Sequence, residues 1–198
     1  MSLEELSKLI RDKPVVYKEN PHWSFDEKIN HKDGRPFSLA DYEEVLSFVK
    51  SYFVQVWNSF ETEAQVLVVT DSDYQTLQAK NITLPTIYND ELVVLVLPQV
   101  NTWGNTSISE KYWQTVIVDN DINPVMRIHS HHILDAYQST TDWSTLNSGT
   151  LEVVIGKILD NESIYAYWLD ERGKETKDFV WQCKTLTSEP QSIPNGKA

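Results

Sequence analysis

The sequence predicts an α+β (mixed α/β) domain in which helices pack on a curved β-sheet. Residues 38–60 place apolar side chains at helical spacing over a long segment. Residues 65–70 and 91–97 are short apolar runs rich in Val and Leu, which is typical of buried strands. Helices and strands do not alternate regularly along the chain, and this order favours helices gathered on a sheet.

The N-terminal part of the chain predicts an extension that precedes this domain. Residues 2–12 favour a short helix, because Ser2 and Glu5 form a capping box and Leu recurs on one face. Between residues 13 and 37, Pro and Gly interrupt any long element. The chain is therefore expected to divide into an N-terminal extension, a main domain and a flexible tail, at residues 1–37, 38–185 and 186–198.

The main domain is expected to begin with a long helix that Ser38 caps, with Asp41 three residues later. The apolar side of this helix is expected to belong to the core. Strands are then expected at residues 65–70, 91–97, 125–130, 151–158, 163–169 and 179–183. The remaining segments are expected to be a partly helical connection at 71–90, loops at 101–108 and 132–141, and a helix at 142–149. Residues 109–118 fit a helix or a strand.

The composition limits the classes of partner. The 198-residue chain carries 17 Lys and Arg against 29 Asp and Glu, a formal charge of −12. Because phosphate binding requires clustered basic residues, this charge argues against nucleic acid and against an anionic membrane as partners. No apolar run reaches the roughly 18 residues of a membrane span, and the start lacks an apolar signal segment. With Cys183 as its single cysteine, the chain is expected to be cytoplasmic.

The most informative motif combines two histidines with a later Ser and Asp. His129 and His131 lie two residues apart in a predicted strand, so both imidazoles point to the same face. Asp142, at the start of the following predicted helix, can supply an oxygen ligand. Two neutral nitrogens and one carboxylate suit Zn²⁺, and three protein ligands leave a position open for water, as in catalytic zinc sites.

Each half of this motif also has an ordinary structural interpretation. A His-x-His pair on a strand can form a polar face, and Ser139 with Asp142 can form a capping box. The capping role is compatible with metal binding, because Asp142 can bind an ion from the first turn of its helix. Of the neighbouring residues, Ser130 is expected to pack on the opposite face of the strand. His132 is expected to be a loop residue, and Asp135 is a candidate to orient an imidazole.

The pattern His129-Ser130-His131, seven residues, then Ser139-Thr140-Thr141-Asp142 closely resembles the signature of the JAMM family (MPN+ or JAB) of zinc-dependent peptidases and isopeptidases. The element order is also similar over residues 38–183. Many members have Pro where this chain has His132. The segments 1–37 and 71–90 do not resemble those of eukaryotic deubiquitinating members, which favours a prokaryotic-type member. The resemblance implies the family's fold and Zn²⁺ as the cofactor.

The resemblance also implies a general base and an oxyanion donor. In the family the base is a Glu between the first long helix and the first strand, and Glu63 stands at that position. Glu61 and Glu91 are the alternatives, and the absence of any such acid is a further possibility. Ser139 would donate its hydroxyl to the developing oxyanion.

The function implied is hydrolysis of an amide bond in a protein or peptide, with ubiquitin-like proteins as one candidate substrate class. The first alternative is a catalytically weak or inactive MPN-like module that binds proteins. The second is a metal-free protein, or a different hydrolase, in which the motif is accidental. Substrate identity and oligomeric state stay open.

Overall fold

The computed structural model of the chain describes residues 1–11, 37, 39–137, 139, 150–160 and 162–168. Its fold is α+β, as the sequence predicts. The helices are α1 (Leu3–Arg11), α2 (Leu39–Phe60), α3 (Asp71–Ala79) and the single turn α4 (Glu110–Tyr112). The strands are β1 (Gln65–Thr70), β2 (Thr86–Asn89), β3 (Leu92–Leu95), β4 (Gln99–Thr102), β5 (Asn105–Ile108), β6 (Met126–Ser130), β7 (Leu151–Gly156) and β8 (Ser163–Trp168).

Six of these strands form one mixed sheet in the order β2-β3-β1-β6-β7-β8. The pair β6 and β7 is parallel, and the other neighbouring pairs are antiparallel. In the centre, Gln65 of β1 lies opposite His129 of β6, which lies opposite Val154 of β7. The histidine strand is therefore an interior strand, held by backbone hydrogen bonds on both sides.

One face of the sheet packs against α2. Alternate residues of β1, β6 and β7 enter this core, among them Val66, Ile128 and Val153, and each is at most 1% exposed. The apolar side of α2 covers them with Tyr42, Val45, Leu46, Val49, Tyr52, Phe53 and Val56. The prediction that this helix supplies core residues is confirmed. α1 also contributes Leu6 and Leu9 to the same cluster, so part of the predicted N-terminal extension packs on α2.

The opposite face is apolar at one end only. Leu67 and Val69 of β1 and Leu95 of β3 join a second buried cluster, which α3 covers with Tyr74 and Leu77. Thr70 caps α3 by accepting a hydrogen bond from the backbone N–H of Asp73 at 3.2 Å. The other end of this face carries polar side chains.

Two segments differ from the sequence predictions. Residues 101–108, expected to be a loop, belong to the hairpin β4–β5. β2 likewise lies within the expected connection 71–90, where only the helical part, now α3, was anticipated. The undecided segment 109–118 is helical: α4 continues as a π-helical turn at Trp113–Ile117 and a 3₁₀ turn at Val118–Asn120. π-helical turns are rare in proteins, and those that occur frequently lie at functional sites.

The hairpin β4–β5 is attached to β1 through a side-chain amide. The Gln99 Oε1 atom accepts the backbone N–H of Gln65 at 2.9 Å, and its Nε2 donates to the Gln65 carbonyl at 3.0 Å. Gln99 thereby satisfies Gln65 as a neighbouring strand would. Because the hydrogen bonds come from a side chain, the alternation of apolar residues along the chain gave no sign of this strand pairing.

Several sequence predictions fall outside the described residues. They are the helix at 142–149, the strand at 179–183 and the tail at 186–198. Across the described part of the chain, no helix combines the length and apolar character needed to cross a membrane.

Candidate metal and catalytic site

The site is organised by two histidines at the end of β6. His129 is the fourth residue of β6 and His131 follows its last residue, so their side chains lie on the same face. Both are buried, at 6% and 5% exposure, and their Nε2 atoms are 3.3 Å apart. Ser130 between them points to the other face, where its Oγ accepts the backbone N–H of Ala64 at 3.0 Å. The packing role predicted for Ser130 is confirmed.

The separation of the two imidazole nitrogens fits a shared zinc ion. Two nitrogens that each lie about 2.05 Å from a tetrahedral zinc ion would be roughly 3.3 Å from one another. The same distance also allows one protonated nitrogen to donate a hydrogen bond to the other ring. Within the described ranges, no group of three or more His, Cys, Asp or Glu side chains could hold a metal ion by itself. The third predicted ligand, Asp142, lies outside the described residues.

Glu63 lies in the same cleft as the histidines. It precedes β1 by two residues, and Gln65 is paired with His129, so strand alternation places Glu63 on the histidine face. Glu63 is 5% exposed, and its backbone N–H donates to the carbonyl of Thr102 at 2.9 Å. The hairpin β4–β5 therefore holds the backbone of Glu63 in place.

The two alternative carboxylates are exposed and lie elsewhere. Glu61 ends α2 in the left-handed region, with φ 52°, and its N–H still donates to Trp57. This reversal directs the chain into β1 and leaves the Glu61 side chain exposed. Glu91 precedes Leu92, which pairs with Thr70 at the end of β1 away from the histidines. Of the three candidates, only Glu63 lines the histidine cleft.

The cleft itself has a volume of about 590 Å³ and contains the predicted oxyanion donor. Ser139 lines it together with Glu63 and the two histidines. The hairpin β4–β5 and the segment that follows β6 both contribute residues to its lining. Four of the five predicted site residues are therefore brought together, and the fifth, Asp142, is not among the described residues.

Four further cleft residues were not predicted from the sequence. Trp103 lies at the tip of the hairpin, Trp113 begins the π-helical turn, and Tyr137 contacts His131 edge-on with ring centroids 4.6 Å apart. Arg127 lies one alternation before His129, and its Nε donates to Glu152 at 2.7 Å. The position of Arg127 two residues before His129 on β6 indicates that both side chains lie on the same face. The positions of the aromatic residues could not be predicted from the local sequence, because distant segments bring them to the cleft.

His132 is a loop residue, as predicted, but it is fully buried. Its backbone is left-handed, with φ 30°, and its ring contacts the indoles of Trp57 and Trp103, at centroid distances of 4.5 and 5.3 Å. This burial lowers the pKa of His132, and the backbone of Trp103 opposes part of the effect. The His132 Nε2 atom lies 3.8 Å from Oε1 of Glu63.

The segment after His132 is fixed against the ends of β7 and β8. Lys157 donates its backbone N–H to the carbonyl of Leu134, and Ala136 donates its N–H to Ser163 Oγ at 2.7 Å. Gly156 lies directly beneath this segment, and a Cβ there would overlap Leu134 and Ala136. Asp135 is exposed and pairs with Lys157, so the structure gives no support to its predicted contact with an imidazole.

No family model matches the chain, and no curated protein matches it.

Proposed function

We propose that this protein is a zinc-dependent amide hydrolase of the JAMM type, acting as a peptidase or isopeptidase on a protein or peptide substrate. The observation that carries this proposal is the placement of two converging imidazoles, 3.3 Å apart, in one cleft with the buried carboxylate of Glu63. The cofactor would be Zn²⁺, held by His129 and His131 with Asp142 as the third ligand. Bound zinc would supply Lewis acidity, which polarises a carbonyl and acidifies water.

The residues of the chain account for the proton transfers of such a reaction. Glu63 would accept a proton from the attacking water as its oxygen bonds to the carbonyl carbon of the scissile amide. When the carbon–nitrogen bond breaks, Glu63 would return that proton to the leaving nitrogen. The products are a carboxylic acid and an amine, so Glu63 ends as it began.

Ser139 would donate its hydroxyl to the carbonyl oxygen while negative charge develops there. The burial of Glu63, His129 and His131 supports this chemistry, because excluding water strengthens each electrostatic interaction in the cleft. The buried charges and donors are also held by the sheet and the hairpin, so little reorganisation is required at the moment of reaction.

A protein-binding module that has lost turnover is the second candidate. The observation that favours it is an apolar rim of the cleft, formed by Trp103, Leu134 and Tyr137, whose side chains are 54%, 37% and 48% exposed. Exposed apolar side chains that surround a cleft are typical of a contact surface for another protein. The same rim would serve a peptidase that binds protein substrates, so turnover must separate the two functions.

The first experiment measures the metal. Elemental analysis of protein purified without a His tag is expected to give about one zinc per chain, and His131→Ala is expected to lose it. His132→Phe is the matched control, because it removes a neighbouring imidazole that lies outside the proposed ligand set. If the wild-type chain neither contains zinc nor takes it up, the metal proposal is wrong.

The second experiment separates Glu63 from its neighbour Glu61. The substrates are a peptide mixture from a digested proteome, followed by mass spectrometry, and a ubiquitin-like protein with a fluorogenic C-terminal amide. Glu63→Ala is expected to lower turnover by about 10²–10⁴-fold with zinc retained, because it removes the proton acceptor. Glu61→Ala, an exposed carboxylate two residues away, is expected to behave as wild type. Wild-type protein that binds zinc without cleaving either substrate would favour the binding module.

The charge of −12 favours a neutral or basic protein partner over nucleic acid. The single cysteine supports a cytoplasmic location. Cell fractionation with an antibody against the native chain tests this location.

A further inference from the structure

We infer that His132 is a positioning residue for Glu63, with its Nε2–H directed at Oε1 of the carboxylate. The effect of this contact on catalysis rests on the proposed function. The contact between the two side chains is independent of it. The residue stands where many JAMM members have Pro, and Pro has no donor for this contact. The arrangement is therefore a property of this chain's own sequence.

The first support is the distance between the two side chains. The His132 Nε2 atom and Glu63 Oε1 are 3.8 Å apart, and both residues are buried, at 0% and 5% exposure. This distance is longer than a formed hydrogen bond, so the proposed contact requires the two side chains to move closer together. Catalytic hydrogen bonds are commonly long before substrate binds and shorten in the complex.

The second support is that the imidazole forms no hydrogen bond of good geometry within the described structure, although the backbone of Trp103 lies close enough to affect its pKa. A buried polar group without a partner is destabilising, so a nearby carboxylate is a favourable acceptor. Among the described residues, Glu63 places a carboxylate oxygen within 4 Å of this ring.

The third support is that the ring cannot easily turn away. Trp57 of α2 and Trp103 of the hairpin tip both pack against the ring, and the left-handed backbone of His132 restricts the direction of its side chain. Glu63 is held from the other direction by the hydrogen bond from its N–H to Thr102. Because the same hairpin fixes both partners, their relative position depends on its placement.

A purely structural role, in which His132 only fills space between two indoles, makes a different prediction. A space-filling ring would serve equally well without nitrogen atoms, so Phe would replace it. A positioning role requires a donor at Nε2, so Gln would restore function better than Phe. These two substitutions are therefore the matched pair for kinetics.

The first test is spectroscopic and does not depend on turnover. In the full chain labelled with ¹⁵N-histidine and loaded with zinc, His132 is expected to be a single neutral tautomer with the proton on Nε2. The signal is assigned by its loss in His132→Phe. Glu63→Ala is expected to release this tautomer into a mixture. A proton on Nδ1 in the wild type, or no response to Glu63→Ala, would overturn the inference.

The second test compares kcat and KM on whichever substrate the wild type cleaves. His132→Phe is expected to lower kcat by about tenfold or more with KM within about twofold, and His132→Gln is expected to recover part of the loss. Thermal unfolding and zinc content show whether each variant is folded and loaded. Equal turnover of His132→Phe and wild type, with Glu63→Ala inactive, would refute the positioning role while leaving the proposed function intact. If the wild type has no turnover, the proposed function fails and the tautomer still decides the contact.

Discussion

The two faces of the central sheet are built from the same strands and have opposite properties. On the α2 face, even-numbered residues of β1 and β6, such as Val66, Val68 and Ile128, form a continuous apolar core. On the other face, odd-numbered residues change from apolar to polar toward one end: Leu67 is core, and His129 lines the cleft. Successive side chains of a strand point to opposite faces. Residues that stabilise the core therefore alternate along the strand with residues that line the cleft.

The end of the cleft face is polar because different elements cover it. α3 and the helical segment after α4 cover the apolar end, with buried Leu77, Val116 and Ile117. The hairpin β4–β5 borders the polar end, where the side-chain amide of Gln99 forms hydrogen bonds with the backbone of Gln65. The hairpin therefore covers this end with polar groups in place of an apolar layer. A buried polar site therefore exists here because the covering element brings hydrogen-bonding groups with it.

The largest expected effect comes from truncating two adjacent residues of β6. Ile128→Ala is expected to lower the free energy of unfolding by about 2–5 kcal/mol, because it leaves a cavity in the α2 core. His129→Ala is expected to abolish zinc binding with a much smaller loss of stability in the metal-free protein. Chemical denaturation and zinc titration of both variants measure this contrast. Similar losses of stability in the two metal-free variants would contradict the separation of the faces.

A smaller effect is expected from Gly156→Ala, which disturbs only the cleft. The added Cβ would overlap the backbone of Leu134 and Ala136, and relieving this overlap is expected to cost about 1–3 kcal/mol. Because the displaced segment leads to Tyr137 and Ser139, turnover should fall as well. The control is Gly104→Ala, whose Cβ meets no atom within 4 Å and should leave the unfolding midpoint unchanged. Equal midpoints for both variants would show that the close approach is unimportant.

The smallest effect is expected for the amide that attaches the hairpin. Gln99→Ala removes the partners of the Gln65 N–H and carbonyl, and is expected to cost about 1–2 kcal/mol. Amide hydrogen exchange at Gln65 should accelerate locally. Thr102→Ala, which removes an exposed hydroxyl contact in the same hairpin, is expected to stay within about 0.5 kcal/mol. Unchanged exchange at Gln65 in Gln99→Ala would show that the side chain is not the attachment.

The parts of the fold that the sequence predicted are those with local signals. β1 and β3 carry runs of Val and Leu, and α2 carries apolar residues at helical spacing, so a local pattern of buried residues indicates the type of each element. The hairpin β4–β5 was expected to be a loop because its residues are mostly polar. Its attachment to the sheet depends on hydrogen bonds between residues distant in sequence, such as those from the Gln99 side chain to the Gln65 backbone. The local sequence pattern does not predict such contacts.

The candidate site was predictable to the same extent. The spacing of His129 and His131 predicts that both lie on one face, and the resemblance to the JAMM signature favoured Glu63 over Glu61 and Glu91 as the nearby acid. His132 was expected to be an unremarkable loop residue, because nothing beside it in the sequence indicates burial. Its environment comes from Trp57 and Trp103, which lie on two separate elements. Contacts between distant segments are the part of the site that sequence patterns leave undetermined.

The π-helical turn at Trp113–Ile117 has a consequence for how such a cleft can diversify. A turn closed by i to i+5 hydrogen bonds holds one residue more than an α-helical turn, so it is equivalent to a single-residue insertion. Each residue of an α-helix corresponds to a rotation of about 100°. Loss of one residue would convert the π-helical turn into an α-helical turn and would rotate the Trp113 side chain out of the cleft. The strands of the central sheet would keep their register. The side chain that this turn presents to the cleft therefore depends on a single residue of chain length, independently of the histidine strand.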